Sequence, residues 1–333
     1  MKHVLIIQTA FIGDVVLATG LPEKLVSFYP NIKIDFLVRK GNESLLSNNP
    51  HINEVIIWNK KEGKYGSLLK TIKKIRSKKY DAVFNLQRFF NSGLMTVFSG
   101  AKQTYGFDKN PLSRFFSHRF KHIIDPKNPI HEIERNHLLI STLTNKEAAK
   151  PKLYPSPTDL EKVISYTQSP FVTLTPSSVW FTKRMPSEKW IALINLLPEK
   201  YTIYILGGKD NVEEAESLVA KSNRKQPVTI LAGKLSFLQS AALMKQADMN
   251  YVNDSAPLHF ASAMDAPVTA VFCSTIPGFG FYPLSTKSFI VETTIQLDCR
   301  PCGLHGWKAC PLGHFKCGHT INTQQLLSTL DAN

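Results

Sequence analysis

Short apolar runs alternate with amphipathic stretches along most of this chain, and that alternation leaves few architectures open. Val4–Gln8, Lys33–Val38, Val55–Trp58 and Ala82–Leu86 read as strands. Gly20–Phe28 and Leu68–Lys78 read as helices, the second with Leu68, Leu69, Ile72 and Ile75 on one face. A β-α-β rhythm of this kind implies a parallel sheet with helices on both faces. Residues 144–170 interrupt it, and the proline-punctuated segment Pro151–Pro157 marks a linker. The rhythm then restarts, with strands at Phe171–Thr175, Tyr201–Leu206, Val228–Leu231, Met249–Val252 and Val268–Phe272. Helices are expected at Ser187–Leu197, capped by Ser187, and at Val212–Lys221, Ser236–Gln246 and Ala256–Met264. At 333 residues the chain exceeds one ordinary core. The expectation is an α/β chain of two doubly wound, Rossmann-like domains facing a cleft, residues 1–150 and 151–333, with the last helix free to return to the first domain. Ligands in open α/β sheets bind beyond the C-terminal strand ends, so the loops after Gln8, Thr175, Leu206 and Val252 draw the search for a site.

A composition of 43% hydrophobic and 20% charged residues excludes a disordered chain. No apolar run approaches the roughly 20 residues needed to cross a bilayer. The apolar start, Val4 to Ile7, is too short for a secretion signal and is soon followed by Asp14, so a buried strand in a cytoplasmic protein is expected. The net charge of +14 is uneven. Residues 1–150 carry 24 Lys and Arg against 12 Asp and Glu, whereas residues 151–333 carry 16 against 14. The first half is therefore expected to face something anionic: nucleic acid, a membrane surface or an acidic substrate. The bland alternative is solubility, because Lys70, Lys73, Lys74, Arg76, Lys78 and Lys79 suit the solvated face of one helix.

Four segments carry residues suited to chemistry. After the first strand, Gly13 and Asp14 stand where a dinucleotide-binding domain would show three glycines, which are absent. Asp14 is either a general base or the cap of the following helix. After Thr175, the hydroxyls of Ser177 and Ser178 precede the adjacent cations Lys183 and Arg184, which suit a phosphate leaving group or simply an exposed basic loop. After Leu206, Gly207 permits close ligand approach, and Asp210, Glu213 and Glu214 suit either ribose hydroxyls or the positive end of a helix dipole. The sharpest segment is Asn253, Asp254 and Ser255, where a strand ends and a helix opens at Ala256 with Pro257 at its second position. Unused backbone N–H groups and the helix dipole make such a start an anion site. His259 lies one turn inside, as a ligand contact or as a packed core histidine. In the tail, Cys299, Cys302, Cys310 and Cys317 are interleaved with His305, His314 and His319. Either a structural zinc or reduced packing thiols fit that density. Cys273, at a strand end, reads as packing.

These motifs resemble the bacterial lipopolysaccharide heptosyltransferases, glycosyltransferase family 9. The likeness rests on G-D-V after the opening strand, K-x-x-P before a helix, N-D-S-A-P-x-H-x-A-x-A-x-x-x-P-V-x-A-x-F, and the closing C-x-x-C…C-P-L-G-H-x-x-C, and it spans nearly the whole chain. It implies a GT-B fold and metal-independent, inverting transfer of heptose from an ADP-sugar to an anionic, lipid-linked inner-core saccharide. No cofactor is implied beyond that donor. Peripheral contact with the cytoplasmic face of the inner membrane is expected, and no nucleic-acid partner. The resemblance assigns Asp14 as base and Lys183 as phosphate contact. It also assigns Asp254, Ser255 and Ala256 to the diphosphate turn, His259 to its helix, and Asp210 or Glu213 to the ribose. Ser255-Ala256 stand where many members have Thr-Gly, and Cys273 where many have glycine; neither change removes a backbone donor. Arg88, Arg114, Arg119 and Lys121 are expected to touch the acceptor. The rival readings are a nucleotide-sugar 2-epimerase, a nicotinamide oxidoreductase lacking its glycines, a nucleic-acid binder suggested by charge alone, and a non-catalytic anion-binding protein.

Overall fold

The computed structural model describes residues 1–61 and 63–332, which form two compact units. Met1–Ile124 with Ile130–Tyr154 make the first, and Asp125–Pro129 with Pro155–Asn333 the second. The first unit runs to Tyr154 because the chain is still anchored there: the Lys152 N–H donates to Thr19 Oγ1 at 2.9 Å and the Tyr154 hydroxyl to Glu23 Oε1 at 2.7 Å.

The first unit holds six parallel strands: β1 (His3–Ile7), β2 (Lys33–Arg39), β3 (Glu54–Trp58), β4 (Ala82–Asn85), β5 (Gln103–Phe107) and β6 (His118–Phe120). Their order is β3-β2-β1-β4-β5-β6, the doubly wound arrangement. Val4 to Ile7 of the central β1 are fully buried, as a strand covered on both faces must be. Five helices accompany them: α1 (Ile12–Ala18), α2 (Gly20–Phe28), α3 (Lys64–Ser77), α4 (Phe90–Val97) and α5 (Glu132–His137). Helix α3 turns Leu68, Ile72 and Ile75 to the core, but Leu69 is 59% exposed, because the 68-72-75 stripe carries it off the buried face. Lys74 of α3 and Lys78 at its C-cap both pair with Glu54.

The second unit repeats the pattern with β7 (Phe171–Thr175), β8 (Thr202–Ile205), β9 (Val228–Ile230), β10 (Met249–Asn253), β11 (Val268–Phe272) and β12 (Ser288–Glu292), ordered β12-β11-β10-β7-β8-β9. Its helices are α6 (Pro157–Ile164), α7 (Ser187–Leu196), α8 (Val212–Ala220), α9 (Phe237–Gln246), α10 (Ala256–Met264), α11 (Lys316–His319) and α12 (Thr323–Asp331). Helix α6 occupies part of the stretch read as linker and is capped by Ser156, whose hydroxyl accepts the Asp159 N–H. Pro186, not Ser187, is the N-cap of α7. Helix α12 belongs to this unit: Leu326 and Leu330 pack into the core around Trp190, Leu193 and Ile194. Among the described residues, no helix is long and apolar enough to cross a membrane.

Candidate active site

In the second unit the site grows from the C-terminal ends of β7, β10 and β11. Asn253, the last residue of β10, is fully buried and ties two loops together. Its amide donates to the Pro176 carbonyl, and its Oδ1 accepts the Met185 N–H at 2.9 Å. The β7 loop is thus folded back so that Lys183, in a 3-10 turn at Phe181–Lys183, reaches the next residue, Asp254. Lys183 Nζ lies 2.7 Å from Asp254 Oδ2, and the Thr275 hydroxyl donates to the same oxygen at 2.6 Å. Asp254 is 5% exposed, so this carboxylate is held by two donors in a dry setting. Ser255 is the N-cap of α10, yet its side chain does not cap; the hydroxyl turns 3.5 Å from the Ser177 carbonyl. The helix start is therefore not filled by its own cap, and the Lys183 charge stands beside it. Both features suit a phosphate group.

The other expected donor contacts lie on neighbouring elements. Ser178 accepts Arg184 Nε through its carbonyl at 2.6 Å, and Arg184 Nη1 is 3.9 Å from Glu214. Gly207 and Gly208 lead from β8 into a 3-10 turn, with the Gly208 N–H held by Asn211 Oδ1 at 3.0 Å. Asp210 and Glu213 are both exposed, so the geometry does not choose between them as ribose contacts. His259 is buried on α10 with its ring tilted toward Phe281, 6.4 Å between centroids. Thr275 did not figure among the expected residues. It follows β11, and the strand-end rule applied to that strand would have found it.

In the first unit Asp14 is the third residue of α1, and its Oδ2 accepts the Phe11 N–H at 3.1 Å. It caps the helix, and it is only half-buried. The two readings are compatible, since a carboxylate has further lone pairs to offer a hydroxyl. Elsewhere in the first unit Phe11, Phe89, Phe90 and Phe115 are each more than half exposed. Arg39 lies over the Phe11 ring, Arg88 over Phe89 and Arg114 over Phe115, at 4.9, 5.6 and 4.7 Å from the centroids. Arg119 sits exposed on the edge strand β6, and Lys121 just beyond it.

The tail thiols make contacts within the tail. Cys299 Sγ is 3.9 Å from His314 Nε2, the Cys302 thiol donates to the Cys299 carbonyl, and Cys310 Sγ accepts the Phe315 N–H. Burial, with the nearby Cys302, Cys299 and Cys310 thiols adding to it, pushes the Cys317 thiol up to about 11. Among the described residues no group of three His, Cys, Asp or Glu side chains is arranged as metal ligands. Cys273 is fully buried, as a packing residue should be.

The chain is similar to known proteins over most of its length. It is 28% identical over 278 residues to lipopolysaccharide heptosyltransferase 3 of Escherichia coli, covering 80% of this chain and 82% of that one. The solved E. coli ADP-heptose lps heptosyltransferase II superposes with a TM-score of 0.81 at 22% identity, covering 99% and 98% of the two chains. E. coli heptosyltransferase WaaC with ADP gives 0.71 at 20% identity, covering 87% and 93%. At such identities the superpositions carry the fold, which is GT-B. The family model for glycosyltransferase family 9 (heptosyltransferase) matches residues 68–305, a span holding Lys183, Asp254, Thr275 and the start of α10. This chain is a glycosyltransferase of family 9.

Proposed function

We propose that the protein transfers a heptose from an ADP-sugar, with inversion, to an inner-core saccharide of lipopolysaccharide. The observation that carries the donor half is the Lys183–Asp254–Thr275 cluster beside the open start of α10. Donor names among the relatives, ADP-heptose and ADP, agree with that chemistry. In the reaction an acceptor hydroxyl oxygen attacks the anomeric carbon. Its proton passes to Asp14. The bond from the anomeric carbon to the phosphate oxygen breaks, and ADP leaves with the electron pair. Lys183 and the first amides of α10 meet the charge growing on the diphosphate. The exposed Arg–Phe pairs of the first unit suit an acceptor that is both anionic and amphipathic, and Arg88, Arg114, Arg119 and Lys121 are assigned to it. Such an acceptor would hold the enzyme at the cytoplasmic face of the inner membrane, where anionic lipids attract a basic surface.

The test combines binding and turnover. Nucleotide-sugars are screened for thermal stabilisation, and the best is assayed with truncated lipopolysaccharide acceptors. Asp14→Ala should keep donor binding and lose transfer, whereas Lys183→Ala should weaken binding. Normal transfer by Asp14→Ala rules out the base. Donor turnover without acceptor would indicate an epimerase, and binding without turnover of any kind an anion-binding protein.

A further inference from the structure

The tail that carries the cysteines is stitched onto the turn that carries Lys183. Thr182, 1% exposed, meets Trp307 twice: its N–H donates to the Trp307 carbonyl at 3.1 Å, and its Oγ1 accepts the Trp307 N–H at 2.8 Å. The Ser274 hydroxyl donates to the same Oγ1 at 3.0 Å, and the Ser274 N–H to the Thr182 carbonyl at 3.2 Å. Ser274 in turn accepts the Cys302 N–H at 2.8 Å. Arg300 fastens the tail to the loop after β11, donating to the carbonyls of Cys273, Phe272 and Thr275 and to Glu292. Gly306 completes the contact. Its φ of +73° suits glycine, and a Cβ there would stand 2.9 Å from Thr182 Oγ1 and 3.0 Å from Lys183 Cγ. The tail backbone therefore lies directly against the stem of Lys183.

We propose that residues 300–307 are a brace that positions Lys183 for the donor diphosphate, with Thr182 as the positioning residue that transmits it. The proposal rests on Lys183 contacting that diphosphate. A lysine stem free in solvent loses rotamer freedom when its ammonium engages a ligand. Here main-chain contacts at Gly306 confine the stem beforehand, and the bonds through Thr182 fix the backbone from which it projects. Ordering one such side chain on binding accounts for roughly 3- to 10-fold in affinity, which sets the expected effect.

The test uses the full chain and two probes, ADP by calorimetry and adenosine by competition. Thr182→Val keeps the shape and removes the bridging hydroxyl; Thr182→Ser restores it; Gly306→Ala pushes a methyl group against Lys183. Thr182→Val and Gly306→Ala should bind ADP about 3- to 10-fold more weakly with adenosine affinity unchanged, and Thr182→Ser should recover ADP binding. Equal losses for both probes, or wild-type ADP affinity in Thr182→Val, overturn the brace. If Thr182→Val does not fold, Gly306→Ala decides by the same two affinities. Lys183→Ala separates the two readings. If it leaves ADP affinity intact, the assignment of Lys183 to the diphosphate fails. If it weakens ADP while Thr182→Val and Gly306→Ala do not, only the brace fails.

Discussion

Replacing Lys183 by Met strands a carboxylate that the fold has buried. In the intact protein Asp254 Oδ2 receives Lys183 Nζ at 2.7 Å and the Thr275 hydroxyl at 2.6 Å, at 5% exposure. Without the ammonium a charged group keeps one neutral donor on that oxygen. Breaking a fully buried pair costs about 3–5 kcal/mol, and the Lys183 side chain is 15% exposed, which moderates the loss to about 3 kcal/mol. For a unit of this size that corresponds to a fall of roughly 6–12 °C in melting temperature. Asp254→Asn should cost less, about 1–2 kcal/mol, because the amide oxygen still accepts from Thr275 while the freed ammonium can turn to water. The double variant should then lose about 1.5–2 kcal/mol less than the two singles together. Denaturation followed by tryptophan fluorescence reads this well, since Trp180, Trp190 and Trp307 all lie in the second unit. A coupling below about 0.5 kcal/mol would show that the pair does not hold the site together, and the picture of a lysine parked on Asp254 would be wrong.

His137 gives the pH dependence. Burial holds its imidazole below the usual 6.5, so the unfolded chain takes up a proton first as pH falls. Stability should be full above about pH 6.5, decline below it and level off under the folded value, and His137→Gln, which can still donate to the Asn145 carbonyl, should flatten the decline in melting scans. Gly20→Ala should destabilise by about 1–3 kcal/mol, because its Cβ would stand 2.4 Å from the Ala149 carbonyl oxygen. Gly66→Ala on α3, where a Cβ meets nothing within 4 Å, should stabilise by about 0.4–1 kcal/mol; denaturant midpoints moving alike for both would refute the steric argument. Arg88→Ala and Arg114→Ala should raise the acceptor KM several-fold and weaken its salt dependence while leaving ADP affinity unchanged.

The periodic parts of the chain were legible because burial imposes the pattern. Strands buried on both faces, such as Phe171–Thr175 and Val268–Phe272, are runs of apolar and β-branched residues and are legible to the residue. The three-residue edge strand β6, half in water, offers no such run. The helix expected after Asp14 is divided at Thr19 into α1 and α2, a break that leaves no apolar signature. At the site, the helix start after Asn253 follows from strand-end rules. Its partners do not. Thr275 reaches Asp254 across 21 residues of sequence, and Trp307 reaches Thr182 across 125. Neither bond leaves a local signature, because each side chain or backbone group is ordinary until the fold brings its partner.

The charge asymmetry becomes chemistry only once each cation is followed to its contact. Lys74 and Lys78 turn onto Glu54, Lys102 onto Asp81, and Arg135 is buried against Glu132. Those charges are matched within the first unit. Arg39, Arg88 and Arg114 differ, since each lies over an exposed phenylalanine. A guanidinium stacked on a ring keeps its N–H edge available to carboxylate or phosphate, while the ring offers an apolar face. A ligand that is only anionic would use half of that surface, and so would one that is only apolar. A phosphorylated, acidic saccharide attached to lipid, the acceptor proposed above, uses both.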